Sequence, residues 1–444
     1  MRECGVLTEM CGCSMIPDVE FSDFGTKLSQ HSGILRLMDD IARPLPDGIR
    51  PLPMGGGNPA RIGEVEKVYR REVEKLLSHG DDFENVIAHY DSPQGRVGFL
   101  RTTAAFFREK YGWDIDEENI ALTNGSQSAM FYLFNLFSGV TKGVKRTILF
   151  PLMPEYIGYA DQGIEEGTFV SIPSKCEYFE DRTFKYLLDT EAVGKYLDQH
   201  PETGAIAVSR PTNPSGNVLT DDEISALSSL SEKHSIPLII DNAYGLPFPN
   251  IIFTDDAAPV WNENIVLSMS LSKIGLPSIR TGIVIARKEI IKAVGNMNAV
   301  VALATGSFGP VLAEDLLKSG ELVRLASDAV RPFYKAKSDR IRSLIEKYFD
   351  GTDYYLHRTE GSIFCWLYLP SLSIPSLEFY SILMRSGVIT VPGEYFFFGS
   401  GEKPYPHPHY DKCLRLNYSA DDDVVEQGVK IIAEKYREYS AGKY

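Results

Sequence analysis

Residues 265–286 read IVLSMSLSKIGLPSIRTGIVIA, and two features of that stretch decide how the rest of the chain is read. The first is patterning: Ile265–Met269 and Gly282–Ala286 are short apolar runs bounded by Ser and Gly, the signature of buried strands. The second is the polar link between them, which carries Ser270, Ser272, Lys273 and Arg280. Two hydroxyls and a guanidinium around one lysine make a phosphate site whose lysine can also reach a carbonyl carbon. A lone Ser-x-Ser-Lys means little, so the context has to carry the reading.

Upstream, the runs NIALT, RTILF, TFVSI, AIAVS and PLIID, between residues 119 and 241, alternate with longer amphipathic segments. One of these opens with Thr220 and Glu223 at capping-box spacing and continues with Ile224, Leu227 and Leu230 at helical intervals. Strands alternating with helices predict an α/β chain with a mostly parallel sheet and helices on its faces. Past about residue 310 the texture becomes α+β: a long charged helix over about 321–348, then YYLH, SIFCWLYL and CLRLNY. A second, smaller domain is expected there. The division predicted is a flexible leader over 1–20, an N-terminal segment over 21–65 packing with the small domain, a large domain over 66–310 and a small one over 311–444.

Composition narrows the function classes. The 444 residues carry 45 basic and 60 acidic side chains, net −15, which repels nucleic acid and anionic membrane surfaces, so neither is expected as a partner. No apolar run is long enough for a membrane helix, and MRECGVLTEMCGCSM lacks the apolar core of a signal peptide, which predicts a cytoplasmic enzyme. The six cysteines are too scattered for a disulfide framework. Cys4, Cys11 and Cys13 lack the His or second Cys pair of a metal site, so no metal is expected.

In open α/β sheets, ligands bind beyond the carboxyl ends of the strands, and polar residues recur there. Gly125, Ser126 and Gln127 follow NIALT and open an apolar helix, a place where free N–H groups suit a phosphate; Asn-Gly-Ser is equally an ordinary turn. Asn213 follows AIAVS within RPTNPSGN, which is also common turn punctuation. Asp241 closes PLIID with Tyr244 three residues on, and a structural ion pair would explain a buried acid there. With Lys273 and Arg280 at the next strand end, coincidence becomes a poor explanation.

In that order these residues resemble the cofactor motifs of the fold-type I pyridoxal-phosphate aminotransferases, class I and II. The strings HYDSPQGR, LTNGSQSAMFYLFNLFSG, PEYIGYADQGIEE, SRPTNPSGNVLTDDE, IDNAYGLPFPNIIF and MSLSKIGLPSIRTGI are similar to those of the valine-pyruvate group of that family, from about Phe21 nearly to the end. The resemblance implies a seven-stranded sheet in a three-layer large domain and pyridoxal 5'-phosphate held by Lys273 as a Schiff base. It further implies Asp241 on the ring nitrogen, Asn213 and Tyr244 on the ring's 3′ oxygen, and Tyr156 stacked on the ring. Gly125, Ser126, Gln127, Ser270, Ser272 and Arg280 would then hold the phosphate. Arg415 in CLRLNY would grip the substrate α-carboxylate, and Gly57 would close the site with its backbone. Tyr90 would reach the phosphate of a neighbouring subunit, which implies a homodimer with shared sites.

The implied reaction is a ping-pong exchange between amino acids and 2-oxo acids, with valine and pyruvate as the implied pair. Broad use of other aliphatic or aromatic amino acids is the alternative, since one methylene in an apolar pocket is worth only about 1–3 kcal/mol. The same cofactor site also supports lyases, and a non-catalytic sensor is a further reading. The aromatic stretch Tyr395–Phe398 is open between lining the side-chain pocket and packing the domain.

Overall fold

The computed structural model describes residues 19–30, 32–42 and 48–440; Cys4, Cys11 and Cys13 therefore lie outside the described residues. All seven apolar runs become strands of one sheet, in the order 120–123, 282–285, 265–270, 238–241, 203–209 and 144–150, with 169–171 paired to 144–150. Neighbours are parallel except Gly282–Ile285, which runs antiparallel to the strands on both sides of it. Thr203–Ser209 and Ile265–Ser270 are buried along their whole length. Burial on both faces is why such strands read as unbroken apolar runs without alternation.

An eighth strand, Gly139–Thr141, pairs antiparallel with the start of Val144–Phe150, one more than the seven expected. Its turn is Lys142-Gly143, both at positive φ, the two-residue geometry that matches strand twist. The capping box forms as read: Thr220 Oγ1 accepts from the Glu223 N–H at 3.2 Å, and the Glu223 carboxylate accepts from the Thr220 N–H at 2.8 Å. The long charged stretch is helical over Glu321–Leu325 and Arg331–Tyr348, joined by one π turn, Ala326–Val330. Pro332 in the turn that follows cannot donate a backbone hydrogen bond, which suits a widened turn there.

A second sheet of six strands runs in the order 391–392, 413–417, 364–368, 355–357, 183–187 and 175–178. Its last two strands form a hairpin inside the span expected for the large domain, yet Thr183 and Phe184 pair in parallel with Leu356 and His357. Lys185 fixes that hairpin by donating to both oxygens of Glu360 at 2.7 Å, and Glu360 accepts in turn from the Val218 N–H at 3.0 Å. Near the amino end, Leu52–Pro53 pairs in parallel with Val388–Ile389, which delivers Met54–Gly57 to the space between the two sheets. The apolar core runs unbroken from one sheet to the other. Among the described residues no helix is long and apolar enough to cross a membrane.

Candidate active site

Register explains why the polar residues converge. Thr123 pairs with Gly282, Gly282 with Ser270, Ser268 with Asp241, and Asp241 with Ser209, so one edge of the sheet collects all of these chain ends. Because Gly282–Ile285 is antiparallel, its beginning faces that edge, and Arg280 just before it reaches the start of helix Ser126–Phe137. Gly125 caps that helix at φ +85°, and a Cβ there would run into the Arg280 guanidinium. Only glycine combines that backbone angle with that closeness. Arg280 Nη1 points to Ser272 Oγ at 3.4 Å, and Ser270 Oγ accepts from the Ser272 N–H at 3.0 Å. Gly125, Ser126, Ser270, Ser272 and Arg280 thus ring a cradle of hydroxyls, guanidinium and helix N–H groups. The Gln127 side chain donates to the Gly158 carbonyl at 3.1 Å, so what it can offer this cradle is its backbone N–H.

Lys273 stands beside the cradle. Its Nζ donates to the Gly57 carbonyl at 2.6 Å and lies 5.4 Å from the centre of the Tyr244 ring. Burial, helped by Arg415 and Arg280 and opposed by Asp241, pulls its ammonium down to about 8. Asp241 accepts from the Tyr159 hydroxyl and, at 2.9 Å, from the Ala243 N–H. Burial raises its carboxyl, against Tyr159, Ala243 and Lys273. Tyr244 is buried edge-on to Phe364, with ring centres 6.0 Å apart. Tyr156 meets Tyr159 at 5.1 Å and 90°, and Arg415, Asp241 and Arg280 all act on its phenol, which burial raises.

Arg415 closes the pocket from strand Cys413–Asn417. It is only 2 % exposed, and Phe364 and Phe396 lie 4.1 and 5.2 Å from its guanidinium. Its Nη1 donates to Asn213 Oδ1 at 2.8 Å and its Nη2 to the Gly55 carbonyl at 2.5 Å. Among the described residues no carboxylate pairs with it, and its Nε lacks a partner. Burial pulls its pKa down to about 10. A buried cation without a counter-ion is costly, and an arriving carboxylate would supply one.

Tyr90 stands apart, 83 % exposed; Val300, Val301 and Leu303 are exposed too, and Asn298 Nδ2, donating to the Pro93 carbonyl at 2.9 Å, ties their helix to the loop that follows Tyr90. The Tyr395–Phe398 stretch divides: Phe396 faces Arg415, Phe397 stacks on His407, and Phe398 packs on Phe150 and Phe169. Sequence reading missed Tyr159, Glu155, Phe364 and the Gly55 carbonyl; the visible trace of the first was its position three residues after Tyr156.

Cys176, His407 and His409 gather elsewhere, their ligand atoms within 4.8 Å of one another. The ring nitrogens of His409 face the Tyr178 and Tyr186 hydroxyls at 2.8 and 2.7 Å, and His407 Nδ1 accepts from the His409 N–H at 3.1 Å. That group is a hydrogen-bond network seating its loop on the second sheet.

The donor set fits pyridoxal phosphate: a cradle for a dianion, an amine of lowered basicity, an acid beside it, and a guanidinium paired only with neutral groups to take a carboxylate. Comparison with known proteins agrees. The model of aminotransferase class I and II matches residues 64–432. The valine-pyruvate aminotransferase of Escherichia coli K12 is 47 % identical over 419 residues, 94 % of this chain and 97 % of that protein. A putative amino-acid aminotransferase from Psychrobacter arcticum superposes with a TM-score of 0.91 at 40 % identity, covering 95 % of this chain and 99 % of that one. The valine-pyruvate aminotransferase of Salmonella typhimurium gives 0.82 at 43 % identity, covering 91 % and 99 %. With amine, acid and guanidinium gathered at one sheet edge and a family match spanning most of its length, the chain belongs to the aminotransferases of class I and II.

Proposed function

We propose that this aminotransferase moves the amino group of L-valine to pyruvate, giving 3-methyl-2-oxobutanoate and L-alanine. The relatives from Escherichia coli and Salmonella typhimurium support the substrate pair. The observation that carries the reading is Arg415, a buried guanidinium held by two neutral acceptors, with its Nε unpartnered and no anion paired to it among the described residues. Both donor and acceptor bring an α-carboxylate, so one fork serves both halves of the exchange.

Pyridoxal phosphate, when bound, supplies an aldehyde carbon for the amino group and a protonated ring that withdraws electrons from Cα. Lys273 would hold that carbon and, once freed, carry the proton away from the substrate Cα through Nζ. Asp241 would keep the proton on the ring nitrogen, with Tyr159 fixing the orientation of its carboxylate. Tyr244 and Asn213 would hydrogen-bond the 3′ oxygen, and Tyr156 would cover one ring face. The Gln127 N–H, with Ser126, Ser270, Ser272 and Arg280, would hold the phosphate, and Gly125, whose N–H donates to the Thr123 carbonyl at 2.8 Å, would give Arg280 the room to reach it. Gly57, whose carbonyl already takes the Lys273 proton donor, would close the substrate side.

Tyr90 would serve a second copy of the chain, and its exposure, with that of Val300, Val301 and Leu303, supports a homodimer. The free thiols of Cys176, Cys365 and Cys413 support a reducing cytoplasm. The deciding assay offers a panel of amino donors with pyruvate and measures alanine formed. Valine should lead that panel; alanine arising faster from an acidic donor would overturn the assignment.

A further inference from the structure

Between the loop that carries Tyr156 and the end of strand Thr203–Ser209 sits a carboxyl that the roles above leave unused. Glu155 is 1 % exposed. Its Oε1 accepts from the Ser209 N–H at 2.9 Å; its Oε2 pairs with the Ser209 hydroxyl and faces the Tyr156 N–H at 3.3 Å. Its own N–H donates to the Phe396 carbonyl at 3.0 Å, next to the ring that covers Arg415. Ser209 lies opposite Asp241 in the parallel ladder, so the buried Glu155, bonded to Ser209, and the half-buried Asp241 meet adjoining strand ends beneath one pocket.

The two acids have different surroundings. Asp241 faces the Tyr159 hydroxyl and feels the Lys273 cation. Glu155 faces Asp241 across the strands, the Tyr159 phenol and, through its Oε2, the backbone N–H of Tyr156. Among the described residues no lysine, arginine or histidine hydrogen-bonds to it; Lys273 and Arg415 act on Asp241 and Tyr156. Burial pushes the Glu155 carboxyl up to about 8; Asp241 adds to the rise and Ser209 opposes it. Two acids so placed do not both ionise without repulsion, and of the two it is Glu155 that lacks a cation.

We propose that Glu155 is a positioning residue for amino transfer: as a neutral acid it pins Tyr156 to the end of strand Thr203–Ser209 and leaves Asp241 as the single anion under the cofactor ring. The proposal rests on the reading of the site as a pyridoxal-phosphate pocket. Glutamine keeps the shape and the neutrality of the acid. Alanine leaves the Ser209 N–H without a partner and frees the Tyr156 loop.

The test compares wild type, Glu155→Gln and Glu155→Ala for pyridoxal-phosphate affinity and for the visible circular dichroism of the bound cofactor at neutral pH. Glu155→Ala should bind about tenfold more weakly or worse, with altered dichroism, and Glu155→Gln should stay within about twofold of wild type. A third readout uses the cofactor-free protein. An acid whose folded value of about 8 exceeds its unfolded 4.5 holds a proton that the unfolded chain has released, so its contribution to stability falls as pH rises across that window. The melting temperature of wild type should therefore drop more steeply from pH 5 to 8 than that of Glu155→Gln.

Wild-type affinity and dichroism in Glu155→Ala would overturn the proposal, as would a Glu155→Gln variant as weak as Glu155→Ala, or identical pH slopes. Should Glu155→Ala fail to fold, the slope comparison alone decides. Failure of the wild type to bind cofactor or form alanine would sink the reading of the site instead, and the cofactor-free slopes stay interpretable.

Discussion

Arg415 and Lys273 show how burial prepares single residues for chemistry. Arg415 is held by two neutral acceptors and two aromatic rings, so its charge waits for a carboxylate. Arg415→Ala should lower kcat/KM for the amino donor roughly a hundredfold, about 3 kcal/mol, while cofactor content holds. Arg415→Lys should recover little of it, because an ammonium cannot reproduce the fork. Lost cofactor with unchanged substrate affinity would contradict this. Lys273 carries its own pH signature. Its ammonium, pulled down to about 8, is a nucleophile only when neutral, so cofactor uptake by the cofactor-free protein should quicken up to about pH 8 and then level. Stopped-flow absorbance checks it, and a midpoint near the ordinary lysine value of about 10.4 would count against it. The same depressed value means the folded protein binds fewer protons than the unfolded one between about 8 and 10.5, so Lys273 adds stability as pH rises there.

At the scale of elements, the phosphate cradle depends on one helix start meeting one antiparallel strand. Gly125→Ala places a methyl against Arg280 at a φ that L residues avoid, so it should weaken cofactor binding roughly tenfold or more and lower the melting temperature of the cofactor-free protein. Equilibrium dialysis with pyridoxal phosphate measures the first effect. The strand ends that build the site were legible because parallel strands buried on both faces announce themselves as runs such as AIAVS and IVLSM, with the functional residues just after them. Arg415 was legible through the family resemblance, and its place inside the apolar run CLRLNY only made a surface role less attractive. Tyr159 and Glu155 were not, because PEYIGY reads as a turn whose side chains have no period to assign them a direction. The pairing of 183–187 with 355–357 was equally hidden, since it joins segments far apart in sequence through strands three to five residues long.

At the scale of the whole molecule, one residue of the proposed site, Tyr90, is exposed in the single chain. Tyr90 projects into solvent, and Val300, Val301 and Leu303 are also exposed. If two copies share their pockets, mixing inactive Lys273→Ala with Tyr90→Ala chains should regenerate one site built from unaltered residues in each mixed pair. Activity should then exceed that of either variant alone, and a mixture no better than the sum of its parts would rule out sharing. Sedimentation should give a dimer at micromolar concentration.

The hairpin 175–187, stapled by Lys185 to Glu360, has a consequence for anyone who would dissect the gene. A fragment ending at residue 310 would keep that hairpin but discard the strand 355–357 beside it, exposing a row of backbone donors and acceptors to the next fragment in solution. Expressed alone, it should be recovered as aggregate, whereas supplying residues 311–444 in the same cell should return soluble, non-covalently reassembled enzyme.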